Sequence, residues 1–426
     1  MRVTLLGGLA SAALLAACAT SAVPVVVAAP AVAAPEAEER VTVNAPQATD
    51  TAALENRIVI SASRSALRTS SLDAYLEALS DGSCPRGVAL RPGDAIDLSA
   101  TPAAIQPASP SQRKVGVISY VAGYELNSAD PRFGGLSGVD VLDDGSLLAI
   151  SDKGYFVWID LDREGLKPVA ARLSTMRDVG GQPLAGIAGD SAEGLAVNRG
   201  MALVSFEGNH RVLAFDVGRC GAAARGTPIV FDNFGLPLDE AYEESRVTVG
   251  ASDGSEPLAV TQDWYLFMGI ERKKGRINAL SARPIEAEPD FDLRVGVNAP
   301  EFAGIDVLPG INGNGSVRAF LIHRAPAATD GAVWIMQTDL HRYEDHVRSR
   351  GIARGEMEAR ARLRYAETGW RELAQLDQYG VFDKFEGIAA KELSDGRVRL
   401  YLVSDDNYSA DTRTILMIFD VPRPLR

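Results

Sequence analysis

Along most of this chain, apolar runs of five or six residues alternate with punctuation rich in acids and glycine. One phrase recurs. Glu193-Gly194-Leu195-Ala196-Val197 leads through Ala202-Leu203-Val204-Ser205 to Glu207. Glu256-Pro257-Leu258-Ala259-Val260 leads through Trp264-Tyr265-Leu266-Phe267-Met268 to Glu271, and Glu386-Gly387-Ile388-Ala389-Ala390 through Leu400-Tyr401-Leu402-Val403-Ser404 to Asp405. Ser137-Gly138-Val139-Asp140-Val141 leads through Leu147-Leu148-Ala149-Ile150-Ser151 to Asp152. A degenerate copy, Gly304-Ile305-Asp306-Val307, is followed by Val317-Arg318-Ala319-Phe320-Leu321-Ile322 and then His323-Arg324. Each phrase predicts an acidic turn, a short buried strand, a tight turn and a second strand. A third apolar run follows every copy and a weaker fourth follows some. Four antiparallel strands per repeat predict the blades of an all-β propeller. Five repeats are counted, and a sixth in the longer intervals is left open. The last repeat ends with three strands, and Val115-Gly116-Val117-Ile118-Ser119-Tyr120 is available to supply its fourth and close the ring.

In such a blade the first strand lines the channel and the second runs back beside it. The acids that open strand one and close strand two therefore share a rim. Glu193, Glu256 and Glu386 are expected to converge at the channel mouth, with Asp152, Glu207, Glu271 and Asp405 just outside them. Two carboxylates about 5 Å apart repel by roughly 3 kcal/mol at an effective dielectric near 20, so the ring should take up protons or a cation. Oxygen donors without clustered His or Cys favour calcium, or else magnesium. Glu193, Glu256, Glu386 and Asp405 are the first candidates for metal ligands; Glu207, Glu271 and Asp152 are the second. Lys153, His210, Arg211 and Arg324 follow the acids and are candidates for an anionic substrate. The plainer alternative is that Glu-Gly is only a turn, although a turn requires the glycine and not the acid.

The formal net charge of −13 argues against nucleic acid as a partner. Residues 1–18 have the charge and apolar run of a targeting segment, and Leu15-Ala16-Ala17-Cys18 resembles a bacterial lipobox. Lipidation at Cys18 and an outer-membrane location facing the periplasm are the resulting expectations. Residues 19–56 have the composition of a disordered tether, residues 57–114 form a segment of unassigned role, and residues 115–426 form the propeller. Cys84 and Cys220 either pair or stay as two buried thiols. Leu340 to Asp377, rich in Arg and Glu, predicts one or two exposed helices inserted after the fourth repeat, a solvated face or a lid. Gly250-Ala251-Ser252-Asp253-Gly254 matches a nucleophile elbow in letters, but a strand follows where a helix is needed.

Phe133-Gly134-Gly135-Leu136-Ser137-Gly138-Val139-Asp140 with Ile150-Ser151-Asp152-Lys153-Gly154 resembles the opening motif of the phytase-like domain family, "esterase-like activity of phytase". The blocks around Glu193, Glu256 and Glu386, and the closing Val403-Ser404-Asp405-Asp406-Asn407-Tyr408 with Thr414, resemble its later motifs. The resemblance implies hydrolysis of an ester, most readily a phosphoester, by a metal-bound water. The architecture is also similar to calcium-dependent propeller phytases and gluconolactonase-type hydrolases, which is analogy of fold only. The alternative from another class is a non-catalytic propeller that binds a small ligand or an envelope protein.

Overall fold

The alternating runs pair as five antiparallel sheets, one per repeat. The computed structural model describes residues 71–186, 191–207, 211–229, 256–270, 278–285, 293–295, 301–311, 316–325, 332–342, 365–381 and 383–423. Cys18, His210 and Glu271 lie outside the described residues, as do the expected targeting segment and tether.

Blade 1 runs from the channel outward through Leu136–Val141, Leu147–Ser151, Tyr155–Leu161 and Pro168–Thr175, with Asp94–Ile96 added at its outer edge. Blade 2 contains Ser191–Asn198, Met201–Glu207, Arg211–Asp216 and Thr227–Pro228. Blade 3 contains Leu258–Val260, Tyr265–Ile270, Asn278–Pro284 and Leu293–Val295. Blade 4 contains Glu301–Pro309, Val317–Arg324, Val333–Arg342 and Tyr365–Gln375. Blade 5 joins Phe385–Glu392, Val398–Ser404 and Ile415–Val421 to Ile118–Asn127 and, outermost, Ser99–Pro102.

A strand does close the ring, but it is Ile118–Asn127, with Tyr124 opposite Leu416 and Ser119 opposite Asp420, while Lys114–Val115 turns back to pair with it. From residue 71 on, the segment of unassigned role belongs to these sheets. The helix Leu72–Ser83 begins at an N-cap, Ser71, whose hydroxyl accepts from the Ala74 amide. It buries Tyr75 and Leu79 against blades 2 and 3. A disulfide, Cys84–Cys220, then ties its C-terminal end to blade 2 with the Cα atoms 5.8 Å apart. Asp94–Ile96 and Ser99–Pro102 cover the outer edges of blades 1 and 5, which protects open ladders.

The helical expectation for residues 340–377 is corrected where the structure describes it. Tyr365–Gln375 is a strand, antiparallel to Val333–Arg342, followed by a 3-10 turn at Asp377–Tyr379. Leu373 and Ala374 pack with Val333 and Ile335, while Arg371 and Glu372 face solvent. Charges on an edge strand imitate the composition of a solvated helix. Residues 343–364 lie outside the described residues.

The core lies between neighbouring blades. Phe156, Phe206 and Phe215 fill the interface of blades 1 and 2, and Phe267 with Phe302 that of blades 3 and 4. Each fully buried side chain of this size contributes about 1.5–3 kcal/mol. Around the channel the five inner strands touch in cyclic order.

Candidate functional site at the channel mouth

The acid–glycine pair is not a turn. In blades 1, 4 and 5 the pairing skips one residue of the inner strand: Leu136 pairs with Ser151 and Gly138 with Ile150, Phe302 with His323 and Gly304 with Ile322, Phe385 with Ser404 and Gly387 with Val403. The skipped residues are Ser137, Ala303 and Glu386. Blade 2 has the corresponding irregularity around Glu193 and Gly194. A β-bulge re-aims one side chain, and here it does so at the same height in each of these four blades. The glycine is needed for a different reason. A Cβ on Gly194 would strike the Glu256 carbonyl oxygen, one on Gly304 the Glu386 carbonyl oxygen, and one on Gly138 would lie 2.9 Å from the Leu195 amide nitrogen. Glycine lets neighbouring inner strands approach, and the bulged residue before it carries the chemistry.

The rim has two unlike arcs. In blades 4 and 5 the acids have cations. Arg324 closes the second strand of blade 4 and donates to Glu386 from Nη1, with Nη2 3.5 Å from Glu301 Oε2. Lys384 Nζ lies 2.9 Å from Glu386 Oε1 and donates to Asp405 Oδ2 at 2.6 Å. Burial works against an ionised Glu386, but Arg324 and Lys384 outweigh it and hold its carboxyl below the usual range. Burial and Glu386 raise Asp405, against the pull of Lys384. Burial opposes the charge of Lys384, yet Glu386 and Asp405 raise its pKa.

The other arc belongs to blades 1 to 3. Burial pushes Glu193 well above the ordinary carboxylate range, reinforced by Glu256, Glu386, Glu207 and Asp152. Burial, then Asp405, raises Asp152 to about 6 despite Lys153. Asp152 Oδ1 is buried and has no hydrogen-bond partner. Crowded carboxylates of this kind favour uptake of a proton or a cation.

Among the expected substrate-binding cations, Arg324 is the counter-ion of Glu386 and Glu301. Arg211 lies over the Phe206 ring at 4.3 Å, and Lys153 Nζ lies 3.1 Å from the centre of the Tyr408 ring. Lys384, Glu301 and Tyr408 were not legible as site residues. Lys384 and Glu301 occupy one register position, two residues before the bulge, in Lys384-Phe385-Glu386-Gly387 and Glu301-Phe302-Ala303-Gly304. That parallel was the available signal.

The first and last sequence blocks meet at this rim. Asp406 Oδ1 accepts from the Gly135 amide at 2.8 Å and Oδ2 from the Thr414 hydroxyl at 2.8 Å. The Tyr408 hydroxyl lies 2.6 Å from Ser151 Oγ. Asn407 and Tyr408 adopt left-handed φ values of 47° and 50°, costly for such residues and characteristic of functional loops.

As a metal site the two arcs differ. Glu386 and Asp405, expected as ligands, already have Lys384 and Arg324 as counter-ions. Glu193, Glu207, Glu256 and Asp152 suit a hard cation in donor chemistry and charge. No three described His, Cys, Asp or Glu side chains gather as a ready-made cage, so side chains would have to close on an ion.

Two further acids lie deeper. Asp140 and Asp306 stand where blades 2, 3 and 5 have Ala196, Ala259 and Ala389. Asp140 accepts from the Val197 amide at 2.5 Å and Asp306 from the Ala390 amide at 2.6 Å, each clasping the next blade. Burial and Asp306 push Asp140 well up, and burial raises Asp306 to about 7.

Fold and rim together define a five-bladed propeller with an acid-rich channel mouth. The model of the phytase-like family, described as esterase-like activity of phytase, matches residues 131–408. That span is well over half of the chain, and the chain belongs to this family. No curated protein matches it. Among solved structures, a gluconolactonase from Xanthomonas campestris is 10% identical, with a TM-score of 0.39, covering 77% of this chain and 98% of that one. The PQQ-bound aldose sugar dehydrogenase from Streptomyces coelicolor is 11% identical, with a TM-score of 0.36 and coverage of 77% and 100%. Similarity this remote says nothing about the chemistry of the present chain.

Proposed function

We propose that the protein is a hydrolase of ester bonds, with phosphoesters as the favoured substrates, acting at the acid-rich arc of the channel mouth. The observation that carries this is the raised pKa of Glu193 among Glu256, Glu207 and Asp152, beside an arc whose acids are already neutralised. Family membership supports an esterase-like class; the phosphoester rests on Lys153, the cation next to Asp152. Glu193, Glu207, Glu256 and Asp152 would hold a divalent cation, calcium by donor type. When bound, it would supply positive charge to polarise the ester and lower the pKa of a water.

The remaining work falls to the chain itself. The bulge before Gly194 fixes where the Glu193 carboxyl is presented. Arg324 and Lys384 keep Glu386 ionised and hold it and Asp405 on their own side of the rim. Lys153, kept on the Tyr408 ring, places a cation next to Asp152, where an anionic substrate oxygen would be bound. Without a cation, burial and the neighbouring carboxylates push the Glu193 carboxyl up. We further propose that Cys18 is lipidated in a bacterial envelope, which labelled fatty acid incorporation lost in Cys18→Ser would test.

The activity is tested by incubating the purified protein with p-nitrophenyl acetate, p-nitrophenyl phosphate and phytate, with calcium and with chelator, beside Glu193→Gln. Calcium-dependent turnover of at least one ester, lost in the variant, is expected. No turnover of any of the three would overturn the hydrolase reading and favour a propeller that only binds.

A further inference from the structure

Away from the channel, the outer edge of blade 1 forms one wall of a cleft of about 760 Å³. Residues following Cys84 and residues following Cys220 form the other walls. The volume is that of a small-molecule site. Its walls are laced to one another. The Arg91 amide donates to the Cys220 carbonyl at 3.0 Å, the Ala222 amide to the Arg91 carbonyl at 2.8 Å, and the Gly226 amide to the Arg177 carbonyl at 2.7 Å. With the Cys84–Cys220 disulfide joining the two segments that form these walls, the cleft exists before any ligand arrives.

Its chemistry is opposite to that of the chain as a whole. In a protein with a net charge of −13, three arginines, Arg91, Arg177 and Arg225, line this one cleft. Arg177 Nη1 donates to the Gly181 carbonyl at 3.0 Å, and the Arg225 guanidinium packs on the same glycine, so two forks converge. Among the described residues no acid pairs with any of the three. Asp94, the acid in the lining, is 2.9 Å from Arg132 and serves as its partner. Ser174 is only 8% exposed, lines the cleft, and its hydroxyl has no hydrogen-bond partner. A buried hydroxyl without a partner is costly, and two guanidinium groups gathered at one glycine repel. An oxyanion relieves both.

We propose that this cleft is an anion-recognition site for a carboxylate- or phosphate-bearing molecule, bound by the Arg177 and Arg225 forks with the Ser174 hydroxyl donating to it. Planar forks match an oxyanion two bonds at a time, which ammonium groups do not. Arg91, exposed at the lip, draws the anion in. The site owes nothing to the rim carboxylates and stands whether or not the channel mouth hydrolyses esters.

The full chain, in chelator, is titrated calorimetrically with inorganic phosphate and with citrate, and sedimented with phosphatidylglycerol vesicles. Binding of at least one anion is expected, weakened about tenfold or more in Arg177→Ala/Arg225→Ala and unchanged in Glu193→Gln. Vesicle binding with the same variant dependence identifies a lipid headgroup as the source of the anion; soluble-anion binding alone identifies a free solute. Should the double variant not fold, Arg225→Gln is held to the same criterion. Absence of binding at millimolar anion, equal affinity in the arginine variants, or loss in Glu193→Gln overturns the proposal.

Discussion

Glu193 in blade 2 and Glu386 in blade 5 occupy one position of one repeat, the bulged residue before the channel glycine, yet their electrostatics are opposite. Glu386 faces Arg324 and Lys384, which favour its ionised form; Glu193 faces other carboxylates, and burial and these neighbours push its pKa well up. The difference arises from Lys384 of blade 5 itself and from blade 4. Its second strand ends in Arg324 where blades 1, 2 and 5 end in Asp152, Glu207 and Asp405, and its bulge carries Ala303 in place of an acid. The degenerate repeat therefore helps to neutralise its neighbour. A repeat fixes where side chains are displayed, and departures from it decide which half of the rim is left to bind something.

Removing Arg324 should break this division most severely. Arg324→Ala leaves Glu386 and Glu301 without it in a buried setting, and a loss of about 3 kcal/mol is expected in urea unfolding near pH 7.5, at the lower end for broken buried pairs because Lys384 remains. Calcium should act on the opposite arc alone. At a hundredfold excess over its Kd it should stabilise the wild type by about 2.7 kcal/mol, read as a higher Tm, and leave Glu193→Gln close to its metal-free value. Glu386→Gln should cost about 2 kcal/mol above pH 4.5, because the folded state lowers this pKa; the cost should fade as acid protonates the wild-type carboxyl in both states.

Asp152→Asn should have the smallest effect, and the opposite sign. The carboxyl titrates near 6 in the fold against 3.8 when unperturbed, so its ionisation weakens the native state as pH rises through that window. Two units correspond to about 3 kcal/mol, and partial exposure reduces this to roughly 1–2 kcal/mol gained by the variant at pH 8 in chelator. Below pH 3.8 the gain should be absent. Equal stability of the two proteins at pH 8 would remove Asp152 from the acid-rich arc.

Much of the propeller was legible because the apolar runs repeat with their punctuation, and because the last repeat lacks a strand that the run from Val115 to Tyr120 was expected to supply. The rim acids were legible for the same reason. Their local structure was not: a bulge exists only relative to a paired strand, so Glu-Gly resembles a turn until Phe385 is seen opposite Ser404 and Gly387 opposite Val403. Lys384 was missed because its meaning depends on that register. Tyr365–Gln375 was misread because an exposed edge strand and a solvated helix draw on the same residues. The Arg177–Arg225 cleft joins segments far apart in the chain, with no motif to announce it.

The most direct test is the pair Glu193→Gln and Glu386→Gln, melted in chelator from pH 4 to pH 8. At pH 8 the first should raise Tm and the second should lower it, since one removes a carboxyl whose ionisation the fold disfavours and the other a carboxyl whose ionisation the fold favours. Both differences should shrink toward pH 4. Shifts of the same sign at pH 8 would contradict the division of the rim into two arcs.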